Sequence, residues 1–301
     1  MNYKTVSINH RSLSLSNIEK VLYPSCGLKK VNILEYYSRI ARFLLPHLKD
    51  RALTLKRFPQ GVGKEFFFEK RCPSHRPDWL ETAEVPYGEN NKIRYCLANN
   101  LETLIWVENL ASIELHVPLA RAHSYMTPDA TVFDLDPGDN ADVLDCAKVA
   151  LIIKDLLERQ KLSSWVKTSG QKGLHVFVPL NTGKTTFDHT KIFSMAVAKI
   201  MEKNYPDLVT AKVEKKSRTG KVFINWAQND ASKTMVSVYS LRAGEKPSVS
   251  FPIEWRELET LLKQKKIEKF QILHSEAIKR IEKDGDLFSE ILSKKQELPN
   301  I

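Results

Sequence analysis

The residues of this 301-residue chain with the most obvious chemical potential lie in a few short stretches. The first is Phe133-Asp-Leu-Asp-Pro137, followed at once by Gly138. Side chains on a strand alternate faces, so Asp134 and Asp136 share one face, about 6.6 Å apart along the chain. Phe133 and Leu135 then turn the other way, into a core. Two carboxylates at this spacing suit a hard divalent cation such as Mg²⁺ or Mn²⁺. The plainer alternative is a strand end with two solvated aspartates before a Pro-Gly turn.

A second stretch is Ser169-Gly-Gln-Lys-Gly-Leu-His175. Two glycines and a lysine between strands make a turn whose backbone amides could cradle a phosphate. Lys172 would add a point charge and Ser169 a hydroxyl donor, with His175 facing the same site. The spacing is not that of the nucleoside triphosphatase loop, and no helix follows directly. In the stretch 111–118, alternation places Glu114 and His116 on one face, expected to be the non-core one, with Ile113, Leu115 and Val117 on the other. Lys20 and Lys30 flank a turn containing Pro24 and Gly27, just before an expected helix. Lysines beside a helix N-terminus can hold a phosphate. Lys212, Lys215, Lys216, Arg218 and Lys221 form a basic run. The net charge of +10 points to an anionic partner, for which nucleic acid is the usual candidate.

The elements that must hold these residues follow from periodicity. Ile33, Leu34, Tyr37, Ile40, Ala41 and Leu44 predict a helix over 31–45, with Pro46 at its end. Strands are expected over 53–57 and 65–69, and a hairpin pairs 82–87 with 92–96 across the turn 88–91. A short helix is expected over 100–109. Asp142 caps a helix to about 158, with Val143, Ala147, Ala150, Ile153 and Leu157 inward. A strand returns over 165–169. Another helix spans 188–203, with Phe193, Ala196, Val197 and Ile200 inward. The stretch 221–226 reads as a strand with 234–242 as its hairpin partner, and helices cover 254–266 and 275–294. No internal repeat or low-complexity linker is present. The four cysteines, Cys26, Cys72, Cys96 and Cys146, are scattered, which suggests no disulfide scaffold and fits a reducing cytoplasm. Cys72 and His75 are too few for a zinc site. The chain carries neither a secretory signal nor a long apolar run, so no membrane association is expected.

Taken in order, Lys20-Val-Leu-Tyr-Pro24, Glu35-Tyr-Tyr37, Leu45-Pro-His-Leu48, Ser112-Ile-Glu-Leu-His116, Phe133-Asp-Leu-Asp-Pro137, the Ser169–His175 loop and Val238-Tyr-Ser-Leu-Arg242 resemble one family along nearly the whole chain. It is the polymerase domain of bacterial and archaeal end-joining DNA repair, of ligase D type, within the archaeo-eukaryotic primase superfamily. The resemblance implies an α/β (α+β) primase-polymerase fold, two-lobed, with mainly antiparallel sheets flanked by helices. It implies a single domain over 1–301: an N-terminal lobe to about 110, a catalytic core over about 111–252 and C-terminal helices over 253–301. By match of motif, Asp134 and Asp136 would hold Mn²⁺ or Mg²⁺. Ser169, Lys172 and His175 would line the triphosphate site of an incoming nucleotide. His116 matches a sugar-contacting histidine, Gln228 a glutamine near the nucleotide, and Arg242 a phosphate-contacting arginine. Lys20 and Lys30 match lysines that grip a downstream 5′-phosphate. The family fills gaps at broken DNA ends from nucleoside triphosphates, preferring ribonucleotides. It works with a Ku-type protein and an ATP-dependent DNA ligase, which implies cytoplasmic, nucleoid-associated action.

One position departs from the pattern. The family has a third aspartate where this chain has Asn225. Asparagine offers a neutral carbonyl oxygen but no negative charge. Nucleotide binding is expected to survive and catalysis to be severely reduced. Asp230, five residues on, has the wrong strand parity to substitute for it. A catalytically silent end-binding homologue is the alternative. A metal-dependent phosphohydrolase would use the carboxylates and the lysine but leave the Tyr-Ser-Leu-Arg strand and basic surface without a role.

Overall fold

A computed structural model describes residues 3–88 and 90–299. Six helices are described: α1 (Lys30–Leu48), α2 (Leu101–Asn109), α3 (Val143–Arg159), α4 (Phe187–Asn204), α5 (Trp255–Gln264) and α6 (His274–Asp284). They flank two larger sheets. The six-stranded sheet runs in the order Val209–Thr210, Val222–Asn225, Ala130–Pro137, Leu174–Pro179, Trp165–Thr168, Pro252–Ile253, antiparallel except for its first pair. The four-stranded sheet runs Met235–Val236, Ser112–Val117, Thr54–Arg57, Phe67–Glu69, all antiparallel. The fold is thus mixed α/β on mainly antiparallel sheets, as expected. The four-stranded sheet takes strands from both sides of residue 110. One contiguous core reaches from Leu22 to Ile291.

The central strand is buried on both faces at its start and alternates only from Phe133 onward, where Asp134 and Asp136 are half-buried. Val132, Phe133 and Leu135 are fully buried, and Asn229 clamps the strand's start. Its Oδ1 accepts from Thr131 Oγ1 and Val132 N, both at 2.9 Å, while its Nδ2 donates to Val132 O. Asp142 caps α3 as expected, accepting from Leu144 N and Asp145 N, and all five predicted inward residues are buried.

Several expectations need correction. α1 continues two residues past Pro46. In α4 the buried stripe runs through Phe187, Thr190, Phe193, Ser194, Val197, Ala198 and Met201, leaving Ile200 exposed. The last long helix stops at Asp284, where Gly285 adopts positive φ, instead of running to 294. The stretch 234–242 is not the partner of Val222–Asn225. It divides at Tyr239, whose φ is +63°, and serves two sheets. Met235–Val236 pairs with Ser112–Val117, and Leu241–Arg242 with Ser248–Val249. The hairpin 82–86/92–96 forms as read, although Glu89 of its turn lies outside the described residues.

Cys72 and Cys96 form a disulfide, contrary to the reading of scattered thiols. The contact is tertiary: Cys72 N bonds Arg94 O at 2.7 Å, which brings the two Cα atoms to 5.0 Å. The cysteine argument for a reducing compartment therefore falls. Cys26 and Cys146 are free. No helix among the described residues is long and apolar enough to cross a membrane.

Candidate active-site cleft and a second, basic site

Three neighbouring strands bring Asn225, Asp134 and His175 into one row, because Asp134 lies opposite Asn225 on one side and His175 on the other. Asp136 follows two residues on, so strand parity places it on the same face. His175 Nε2 lies 3.2 Å from Asp134 Oδ1, and Asn225 Nδ2 donates to Asp134 Oδ2 at 3.1 Å. Burial raises both aspartates, Asp134 to about 6 and Asp136, further raised by Asp134, to about 7. Both carboxylates are pushed upward because their charges sit in a desolvated site.

The 169–173 turn closes against this row. Ser169 Oγ accepts from the amides of Gln171 and Gly173, at 3.2 and 3.0 Å. Those two amides are occupied within the turn, which corrects their expected part in a phosphate cradle; the Ser169 hydroxyl proton remains available to donate. Gly173 admits no side chain, since a Cβ would meet Leu135 O at 2.2 Å. Gly170 combines positive φ with a Cβ direction only 2.6 Å from Arg242 Cγ. The turn therefore docks directly on the carboxylate strand and on Arg242.

Three N-terminal tyrosines hold the segment that carries Arg242. Tyr36 donates to Tyr239 O at 2.7 Å, Tyr23 donates to Arg242 O at 2.9 Å, and Tyr37 accepts from Leu241 N at 3.0 Å. Arg242 Nη1 then donates to Ser169 O at 2.9 Å. Glu114, expected on the non-core face, is fully buried and organises much of what lies above it. Its carboxylate contacts His116 Nε2 at 2.9 Å, Lys56 Nζ at 3.3 Å and Arg242 Nε at 3.4 Å, and accepts from Ala243 N at 3.0 Å. Burial alone would raise Glu114, but the His116 hydrogen bond and the charges of Arg242, His116 and Lys56 outweigh it and hold it at about 2. Burial lowers His116 below its ordinary value. The only sequence sign of Glu114's role was that it shares a face with His116.

A cavity of about 390 Å³ brings together His116, Asp134, Asp136, Ser169, Lys172, His175, Gln228 and Arg242. Arg218 also lines it, its guanidinium stacked 3.7 Å over the Phe223 ring. Gln228 donates to Thr234 O at 2.9 Å. Asn225 enters through Asp134. Asp230 instead pairs with Lys191 at 2.8 Å and lies outside this cavity. The strand ends at Asn225 and the chain turns through a short 3-10 helix over Trp226–Gln228, so parity does not reach Asp230.

Lys20 and Lys30 do not line the cleft; they meet each other elsewhere. Lys30 N donates to Lys20 O at 2.8 Å. Lys30 is not a surface lysine: it is 4% exposed, and its Nζ donates to Ser16 O at 2.6 Å. Burial first, then the charges of Arg57 and Lys20, push it down to about 8. Lys20 Nζ donates to Gln60 Oε1 at 2.9 Å.

Two carboxylates with oxygen donors only fit a hard divalent cation; among the described residues no third acidic, histidine or cysteine ligand completes the set. The family description "LigD, primase-polymerase domain" matches residues 29–288. The chain belongs to this family. It is 36% identical over 282 residues to the multifunctional non-homologous end joining protein LigD of Mycolicibacterium smegmatis, covering 93% of this chain and 36% of that protein. It is 30% identical over 253 residues to the bifunctional LigD protein of Bacillus subtilis, covering 84% of this chain and 40% of that one. The chain thus spans well under half the length of these curated relatives. Among solved structures, the polymerase domain of Mycobacterium tuberculosis ligase D in complex with DNA matches with a TM-score of 0.85 and 33% identity, over 94% of this chain and 99% of that one.

Proposed function

We propose that this LigD-family domain adds nucleotides, ribonucleotides by preference, to a primer at gapped or broken DNA ends, anchored by a downstream 5′-phosphate. The observation that carries this is the single cleft joining Asp134 and Asp136 to Lys172 and Arg242, with the lysine pair as a separate basic site. Lys172 and Arg242 offset the triphosphate charge, the Ser169 hydroxyl donates to a phosphate oxygen, and His116 meets the sugar, its ring steadied by Glu114. Gln228 borders the nucleotide. The primer 3′-oxygen attacks the α-phosphorus and pyrophosphate leaves. Asp134 and Asp136 would hold Mn²⁺ or Mg²⁺, which supplies charge stabilisation at the attacking and leaving oxygens. Lys20 and Lys30 bind the 5′-phosphate. The domain would act at the nucleoid, beside a Ku-type protein and an ATP-dependent ligase.

Asn225 limits this chemistry. It donates to Asp134 where the family pattern would add a negative charge, so nucleotide binding persists while turnover is poor. The same residue favours a second reading, an end-binding protein without catalysis. Primer extension with Mn²⁺ on a gapped, 5′-phosphorylated duplex separates them. Asn225→Asp is expected to extend roughly 100-fold faster than the unsubstituted chain. Equal rates would overturn the impairment, and no extension by either form would overturn the polymerase reading.

A further inference from the structure

The polar row across the central sheet extends one strand beyond the residues used so far. Lys167 lies opposite His175, on the side away from Asp134. It is 1% exposed, and no carboxylate touches its nitrogen among the described contacts. Nζ instead meets His175 Nδ1 at 2.8 Å, Val236 O at 3.3 Å and Ser250 Oγ. The Ser250 hydroxyl gives its own proton to Thr168 O at 2.9 Å, so toward Lys167 it is an acceptor. Val236 O and Ser250 Oγ are acceptors, and His175 Nδ1 completes three contacts, matching the three N–H donors of an ammonium. Burying an amine in a sheet core is costly, and an apolar side chain would fill this position without that cost.

We propose that Lys167 is a positioning residue, which fixes His175 as the tautomer protonated at Nε2 and holds that N–H toward Asp134 and the cleft. A neutral imidazole has one donor and one acceptor nitrogen, and the bond made by one decides the other. An ammonium can only donate, so with Lys167 charged Nδ1 is the acceptor and the proton resides on Nε2, the nitrogen 3.2 Å from Asp134 Oδ1. With the other tautomer, a lone pair would face the carboxylate and any incoming phosphate oxygen. Lys167 also reaches Val236, the register partner of His116, so one amine ties the histidine beside the carboxylates to the strand facing the sugar histidine. Remote groups that orient a ring in this way are worth about 10–100-fold in binding or activity.

The inference rests on reading the cleft as a nucleotide site, and its test keeps the two apart. Long-range ¹H–¹⁵N spectra of ¹⁵N-histidine protein, assigned with His175→Gln, read the tautomer at fixed pH. The unsubstituted chain is expected to show His175 protonated at Nε2 alone, and Lys167→Met a mixture of tautomers. In the Asn225→Asp background, Lys167→Met is expected to lower kcat about 10–100-fold with a smaller change in KM. A His175 protonated at Nδ1 in the unsubstituted chain would overturn the proposal, and that measurement needs no variant of Lys167 to fold. So would a folded Lys167→Met with a single Nε2–H tautomer and full turnover. Failure of Asn225→Asp itself to bind or add nucleotides would overturn the nucleotide reading, and the spectra would then decide Lys167 by themselves.

Discussion

The cleft and the lysine site are opposite electrostatic problems. In the cleft, Asp134 and Asp136 are crowded and desolvated, and both are shifted upward. At the turn, Lys30 is buried beside Lys20 and Arg57 and is shifted downward, to about 8. In each place burial is the first cause of the shift, and a like charge adds to it at Asp136 and at Lys30. A bound group of opposite charge would relieve each shift, as the proposed function requires: a cation at the aspartates and an anion beside the lysines.

The contrast can be broken from either side. The largest effect is expected from Asp134→Ala, which removes the carboxylate shared by the whole polar row. It should weaken Mn²⁺-dependent nucleotide binding by roughly 100-fold or more, measured by fluorescence titration, while leaving 5′-phosphate discrimination intact. Loss of both would show that the two sites are not separate. Next comes Lys30→Ala, which should cost about 1.5–3 kcal/mol of preference for phosphorylated over unphosphorylated gaps. On the proposed function, phosphate binding in the unsubstituted chain would need the ammonium form. Discrimination should thus hold below pH 8 and fall as pH rises through that value; a profile flat from pH 7 to 9 would remove Lys30 from the site. Glu114→Gln should weaken nucleotide binding about 10-fold by loosening Arg242 and His116 together. An unchanged titration would reduce Glu114 to core packing.

The smallest effect is thermal. Carboxylates raised on folding contribute stability that is present at low pH and lost as pH rises through about 6 to 7, and a bound cation restores it above that range. The rise in Tm on adding Mn²⁺ should accordingly be near zero at pH 5.5 and about 2–5 °C at pH 7.5. A gain that did not grow with pH would count against both aspartates as ligands.

What the sequence disclosed was local. Parity put Asp134 and Asp136 on one face, the glycines marked the turn at 169–173, and Asp142 announced α3. What it hid was pairing between distant segments. The run 234–242 has β-forming residues throughout, but its division at Tyr239 is enforced by α1 tyrosines and by Ser250, far away in sequence. Glu114 looked solvent-facing because alternation cannot show that a second layer carrying Arg242 covers it. Lys167 had no legible signal, since a lysine in a short strand normally faces water. Cys72 and Cys96 meet only because the hairpin folds back on its own approach.

That disulfide joins two points 24 residues apart across the exposed hairpin. A protease cutting between them would open the backbone without releasing either piece. The nicked molecule would migrate as one species until a reductant was added, and then as two.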